Sequence, residues 1–308
     1  MRIAALAGGV GAAKFLSGLV EVVAPRDVTV VVNTGDDFEW HGLYVCPDLD
    51  TVVYTLAGLA HHETGWGVRG DTFQALGRLE ELGCEAWFRI GDRDLATHLY
   101  RTERLRAGAS LGEVTGALAS RNRVASAVLP MSDAPVRTRV DTERGTLAFQ
   151  DYFVRQRAEP RVSGFSFEGI DAATPAPGVL EALRDASAVI VCPSNPFISI
   201  GPILAVPGIR EALRETEARV VAITPIVAGR ALKGPTDRML RDMGLEVSAL
   251  AVARMYRDFA GTFVLDRRDG ALAAAVGDLG IDARTAETVM DSPAARTALA
   301  RSVLEMLA

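Results

Sequence analysis

Ile3-Ala4-Ala5-Leu6-Ala7-Gly8-Gly9-Val10-Gly11-Ala12-Ala13-Lys14-Phe15 decides the fold of this chain. Ile3 to Leu6 is a short, continuous apolar run, Gly8 to Gly11 a turn, and Ala12 to Val23 a helical pattern. A second apolar run, Val28 to Val32, follows and ends in Asn33-Thr34-Gly35-Asp36-Asp37. Short strands without polar alternation belong to parallel sheets buried on both faces. The expected class is therefore α/β, with ligands at the carboxyl ends of the strands.

Moving outward, Thr51 to Arg123 reads as helical. Apolar residues recur at helical spacing in Thr72–Leu82, Asp94–Arg101 and Ser110–Ala119, and Ala86–Ile90 is the one candidate strand. The segment is long for a crossover and reads as a mostly helical insertion. The expected division is a core of residues 1–55 and 125–308 with an insertion at 56–124, working as one unit. Strands are expected at Ala125–Pro130, Val136–Asp141 and Gly145–Asp151, the last two as a hairpin. Helix Gly178–Arg184, strand Ala188–Cys192, helix Ile209–Glu217 and strand Val220–Ile223 follow. Helix and strand then alternate to a final helix, Pro293–Leu307, where Ser292 suits the N-cap and Pro293 the first turn.

Composition narrows the function. The 308 residues carry 33 Lys and Arg against 39 Asp and Glu, a net charge of −6, which offers no nucleic-acid footprint. A phosphate-bearing substrate must be held locally, by amides, a few basic side chains and a metal. The three cysteines lack CxxC spacing and fit a reducing cytosol. The four histidines form no HExxH, and His61-His62 reads as surface. The uncharged stretch Ala186–Ile209 is long enough for a membrane, but Pro193, Pro196, Pro202 and Pro207 break it into strand, loop and helix start. Arg2 and the apolar residues after it form a strand rather than a signal peptide. A soluble, cytoplasmic protein is expected.

Five segments carry candidate chemistry. Gly8–Gly11 with Lys14 suits an anion at a helix N-terminus, or simply a tight turn. It has no third glycine for the dinucleotide fingerprint and not the spacing of a Walker loop. Asp36-Asp37 places two carboxylates together at a strand end, which a magnesium ion with phosphates would relieve; a solvated capping turn gives the same pattern. Pro47-Asp48-Leu49-Asp50-Thr51 adds carboxylates nearby, although Asp48 or Asp50 would also serve as an N-cap. Three or four converging carboxylates would mean metal-assisted phosphoryl chemistry. In Arg89-Ile90-Gly91-Asp92-Arg93-Asp94, the arginines suit phosphate and the aspartates suit caps. Pro193-Ser194-Asn195-Pro196-Phe197-Ile198-Ser199-Ile200-Gly201 is a rigid polar loop after the most apolar strand, where a nucleotide would sit.

Taken in order, these segments, with Arg89–His98 read through and Met131-Ser132-Asp133 added, closely resemble the CofD/FbiA family, the 2-phospho-L-lactate transferases of coenzyme F(420) biosynthesis. The likeness runs from the first strand to about Met255. It implies a Rossmann-like core, a magnesium requirement and a homodimer. It implies a guanosine-diphosphate donor carrying phospholactate or a relative, and as acceptor the ribityl hydroxyl of 7,8-didemethyl-8-hydroxy-5-deazariboflavin (Fo), with GMP released. On the matching positions it makes Asp50 and Asp37 catalytic. Asp50, Thr51 and Arg89 become acceptor contacts, and Asp36, Asp37 and Asp50 metal ligands. Gly9, Val10, Gly11, Lys14, Ser194, Asn195, Pro196, Ser199 and Gly201 become donor contacts. Two rivals share the glycine start. One is a non-enzymatic nucleotide-sugar-binding regulator of the gluconeogenesis-factor type, which lacks the Pro-Asp-Leu-Asp-Thr segment. The other is an NAD-dependent oxidoreductase, which needs the missing glycine.

Overall fold

The computed structural model describes residues 1–307. Seven parallel strands form the central sheet: β1 (Ile3–Ala7), β2 (Val28–Val32), β3 (Ala127–Pro130), β4 (Ala188–Val191), β5 (Arg219–Ile223), β6 (Thr262–Asp266) and β7 (Asp282–Ala286). Their spatial order is β3-β2-β1-β4-β5-β6-β7. The first six follow the doubly wound order, and β7 adds one further parallel edge.

Alternation along β1 explains why the apolar run is unbroken. Ala4 and Leu6 enter the core on one face, while Ile3, Ala5 and Ala7 enter the core on the other. The second core receives Ala12, Phe15, Leu16 and Leu19 of helix α1 (Gly9–Leu19), together with Leu299, Ala300 and Val303 of the C-terminal helix Pro293–Met306. Phe15 is fully buried, so Phe15→Ala should cost about 3–5 kcal/mol. Ser292 caps the C-terminal helix by accepting from the Ala295 amide, and Pro293 occupies its first turn, as the sequence predicts.

The connection from β2 to β3 holds the helices α2 (Pro47–Leu56), α3 (Gln74–Glu81), α4 (Asp92–Arg106) and α5 (Leu111–Arg121). Ser110 and Glu113 form a capping box on α5. A small hairpin, Phe38–Trp40 with Leu43–Val45, precedes α2. The expected hairpin is present as Arg137–Thr142 paired with Gly145–Ala148, and a third antiparallel strand, Val162–Glu168, joins it.

Some expectations need correction. No strand forms at Ala86–Ile90. The aromatic rings there pack instead into a side cluster, Trp87 edge-on to Trp40 and Phe88 edge-on to Phe38. The glycine turn is also shorter than expected, because the helix already begins at Gly9 with Gly8 as its N-cap.

Candidate functional site at the switch point of the sheet

β1 and β4 lie side by side, and the chain leaves their carboxyl ends in opposite senses, which opens a crevice. The two loops bordering it nearly touch. A Cβ on Gly11 would stand 2.5 Å from the carbonyl oxygen of Pro193, so only glycine fits there. The Ser194 hydroxyl donates to the Gly8 carbonyl at 2.9 Å. Between the loops and the helical connection lies a cavity of about 760 Å³, a size suited to a nucleotide-sized ligand.

Asp48 sits at the base of this crevice. Its carboxylate accepts from the Gly9 amide at 2.8 Å and from Asn33 Nδ2 at 2.9 Å. Asn33 also donates to the Ile198 carbonyl at 3.1 Å and accepts from the Gly35 amide at 2.8 Å. Neither Asp48 nor Asp50 is the N-cap of α2; that position is Cys46. Asp48 instead closes the start of α1, so the Gly9 amide expected to face a phosphate is already engaged. Burial raises the Asp48 carboxyl to about 6, against the hydrogen bonds from Asn33 and Gly9.

Asp50 projects from the first turn of α2 and is gripped by Arg101 of α4. Arg101 Nη1 donates to Asp50 Oδ2 at 3.0 Å, and Nη2 makes a second, shorter contact to Oδ1. The same Nη1 lies 3.2 Å from His98 Nδ1. A guanidinium carries only donors, so His98 Nδ1 accepts and the remaining proton sits on Nε2. That Nε2 lies 3.3 Å from Asp94 Oδ1, which also accepts from the Tyr54 hydroxyl at 2.8 Å. Arg101 and His98 are 1% and 2% exposed, so this is a buried charge network in which every partner counts. Burial opposes the Arg101 charge, but Asp50 outweighs it and holds the guanidinium protonated. Asp94 behaves similarly: burial pushes its carboxyl up, while His98, Tyr54 and Arg101 bring it below its ordinary value.

Of the three carboxylates expected at one metal, two form part of the cavity wall. Asp36 and Asp50 line the cavity, whereas Asp37 does not. Asp37 is buried, and the charges acting on it are those of Arg137, Arg101 and Asp50; burial raises its carboxyl to about 8. Asp36 is pushed well above the carboxylate range by burial, with Asp48 and Asp37 adding to the effect and Asn33 opposing it. Asp36 Oδ1 has no hydrogen-bond partner among the described residues. Asp50, Asp94 and His98 form a group of three possible metal ligands among those residues, with ligating atoms within 4.8 Å of one another. Hard carboxylate oxygens and an unpartnered Asp36 oxygen on one wall suit magnesium, which binds a few carboxylates and shares the rest of its shell with phosphates and water.

Charge on the wall bears on the same point. Asp36, Asp48, Asp50, Asp94 and Asp291 line it, against Lys14, Arg89 and Lys233. With all five carboxylates ionised, a polyanionic ligand would meet a net negative surface unless a cation came with it; burial meets the same repulsion by raising Asp36 and Asp48. The Lys14 ammonium is already depressed by burial, with Lys233 and Arg296 adding to the effect.

Most other expected site residues reach the cavity. Gly9, Val10, Gly11, Lys14, Thr51, Arg89, Ser194, Asn195 and Ser199 all line it. Arg89 also lies 4.4 Å over the Phe73 ring. Pro196 and Gly201 do not line it; they shape the loop behind it, where a Gly201 Cβ would stand 3.0 Å from the Pro196 carbonyl. The Asn195 side chain is largely occupied by the loop itself, accepting from the Phe197 amide at 2.9 Å. Arg93 is absent from the lining, and Asp92 caps the start of α3 through the Gln74 and Ala75 amides. Sequence reading missed Asp48 as a tether, and it missed Asp94, His98 and Arg101. Their spacing of i, i+4 and i+7 on α4 was the available signal, since it puts all three on one helix face. It also missed Trp66, Trp87, Phe88, Phe149 and Phe153, which give the cavity an aromatic side.

A nucleotide-sized crevice at the switch point of a Rossmann-ordered sheet, walled by carboxylates and close-packed glycine turns, defines an α/β protein built for phosphate-bearing small molecules. A UPF0052-family protein from Bacillus halodurans shares the fold, with a TM-score of 0.62, 17% identity and coverage of 98% of both chains. The family described as 2-phospho-L-lactate transferase CofD matches residues 3–284. The "Phosphoenolpyruvate transferase" of Kitasatospora aureofaciens is 46% identical, over 99% of this chain and 98% of its own. The "2-phospho-L-lactate transferase" of Methanosarcina mazei is 40% identical, over 97% and 98%. The chain belongs to the CofD family. It is a transferase of coenzyme F(420) biosynthesis acting on small molecules. No helix among the described residues is long and apolar enough to cross a membrane.

Proposed function

We propose that this enzyme moves a phospholactyl or phosphoenolpyruvyl-type group from a guanosine-diphosphate-linked donor to the ribityl hydroxyl of Fo. The hydroxyl oxygen forms a bond to the phosphorus that carries the acid moiety. The bond from that phosphorus to the GMP oxygen breaks, GMP leaves, and a phosphodiester remains. The observation carrying this reading is one cavity that combines a close-packed glycine and serine border, five carboxylates and an aromatic side.

The aromatic side, with Arg89 and Thr51, receives the flat deazaflavin. The Gly9–Gly11 turn, Ser194, Ser199 and Lys14 receive the guanosine diphosphate. Asp50, fixed by Arg101, accepts the hydrogen bond of the attacking hydroxyl and takes its proton. Asp36 and Asp50 would hold magnesium; when bound, it supplies charge neutralisation at the transferring phosphorus. Asp37 stands outside the cavity wall, and both its carboxylate oxygens are buried without a hydrogen-bond partner among the described residues. The active species is a homodimer, a point that light scattering on the purified protein tests directly.

The test is incubation of the enzyme with Fo, magnesium and each guanylated phospho-acid in turn. The reading predicts a deazaflavin phosphodiester and equimolar GMP with at least one donor. No product with any of them refutes it.

A further inference from the structure

We propose that Asp48 and Asn33 are positioning residues that build the donor half of the site by tying three strand-end loops together. The inference rests on the proposed donor assignment. The loops after β1, β2 and β4 must each be held in register for a ligand to bridge them, yet they arise far apart in sequence. Asp48 lies 39 residues from Gly9 and 15 from Asn33, and Asn33 lies 165 from Ile198. One carboxylate and one carboxamide join all of them.

The donor and acceptor pattern of this joint is fully specified. Asp48 offers only acceptors, and takes one donor from the Gly9 amide and one from Asn33. Asn33 uses Nδ2 toward Asp48 and Ile198, and Oδ1 toward the Gly35 amide. Both residues are buried, at 0% for Asn33 and 6% for Asp48, so water does not replace a lost partner cheaply. Space is equally tight. A Cβ on Gly8 would fall 2.8 Å from Asp48 Oδ2 and 2.7 Å from Ser199 Cβ, which shows how closely the β1 turn is drawn onto Asp48 and the β4 loop. Asp48 also claims the Gly9 amide, so donor phosphates are left to the rest of the α1 turn and to Lys14.

The pattern predicts a specific reversal. Asp48→Asn turns an acceptor into a donor facing Asn33 Nδ2 and breaks the joint. Asn33→Asp sets two carboxylates against each other and breaks it again. The double variant Asn33→Asp/Asp48→Asn restores one donor and one acceptor across the contact, but sets the new carboxylate against the Ile198 carbonyl, acceptor facing acceptor.

GDP binding to the full chain is the probe, read by calorimetry with magnesium present, alongside the thermal unfolding midpoint of each protein. Each single variant should bind GDP about 10- to 100-fold more weakly, the cost of a mismatched buried polar contact. The double variant should bind GDP more tightly than either single variant, recovering part of that loss, and KM for the donor should rise more than KM for Fo in the single variants. If the wild type does not bind GDP, the donor assignment fails. If the wild type binds and Asp48→Asn binds equally well, the positioning role fails. A double variant weaker than both singles while its unfolding midpoint is retained also overturns it.

Discussion

Removing the Arg101 guanidinium tests the buried network around Asp50. Arg101→Met keeps most of the side-chain volume and deletes the charge. The guanidinium is 1% exposed, and Asp50, at the cavity wall, is 6% exposed. Breaking a buried pair by taking one partner costs about 3–5 kcal/mol, because the other charge is stranded. At about 2.1 cal/mol/K per residue, a chain of this length unfolds with an entropy near 0.65 kcal/mol/K, which gives a fall in midpoint of about 5–8 °C. Asp50→Asn/Arg101→Met removes both charges and should lose less than Arg101→Met alone. Calorimetric unfolding of the wild type, both single variants and the double variant yields the coupling. If Arg101→Met shifts the midpoint by less than 1 °C, or if the double variant falls by the sum of the singles, the stranded-charge argument is wrong.

Further outcomes follow from other sites. Asp50→Asn should lower turnover at least 100-fold at saturating magnesium, since one lost charge contact in a closed site is worth about 3 kcal/mol; steady-state kinetics decide. Gly11→Ala forces a methyl into the Pro193 carbonyl and should weaken GDP binding and lower stability by about 1–3 kcal/mol, read by calorimetry and denaturation. Asp258 is raised by burial, but Arg210 and Arg214 bring it down to about 2, below its unfolded value near 3.9. Its stabilisation is therefore present above about pH 4 and lost as pH falls through about 2. Asp258→Asn should destabilise the protein at pH 6 and make little difference at pH 2, which paired denaturation curves check. Cys46 and Cys192 are buried, with thiols pushed up by burial, and Cys84 is exposed. A thiol reagent should titrate one group in the native protein and three after unfolding.

The sheet was largely legible because its inner strands are buried on both faces. Ile3–Ala7 and Ala188–Val191 therefore read as unbroken apolar runs, and Val28–Val32 as one interrupted only by Thr29. Strand β7, Asp-Ala-Arg-Thr-Ala, is a half-exposed edge with no such run, and Val162–Glu168 is interrupted by Gly164 and mostly unburied, so neither announced itself. The expected site loops came together because strand ends converge wherever a parallel sheet changes direction. Asp36 and Asp37 illustrate the limit. Only the fold shows that Asp36 lines the cavity while its neighbour Asp37 does not. The partnership of Arg101 with Asp50 spans 51 residues and depends on how α4 docks, which local sequence does not encode.

The most direct test is mass spectrometry of a reaction containing the enzyme, Fo, magnesium and a guanosine-diphosphate-linked phospho-acid, with nucleotide products resolved by chromatography. The account predicts one deazaflavin phosphodiester per GMP, formed at least 100-fold more slowly when Asp50→Asn replaces the wild type. Release of GDP in place of GMP, or Fo recovered unchanged with every guanylated donor, would contradict it.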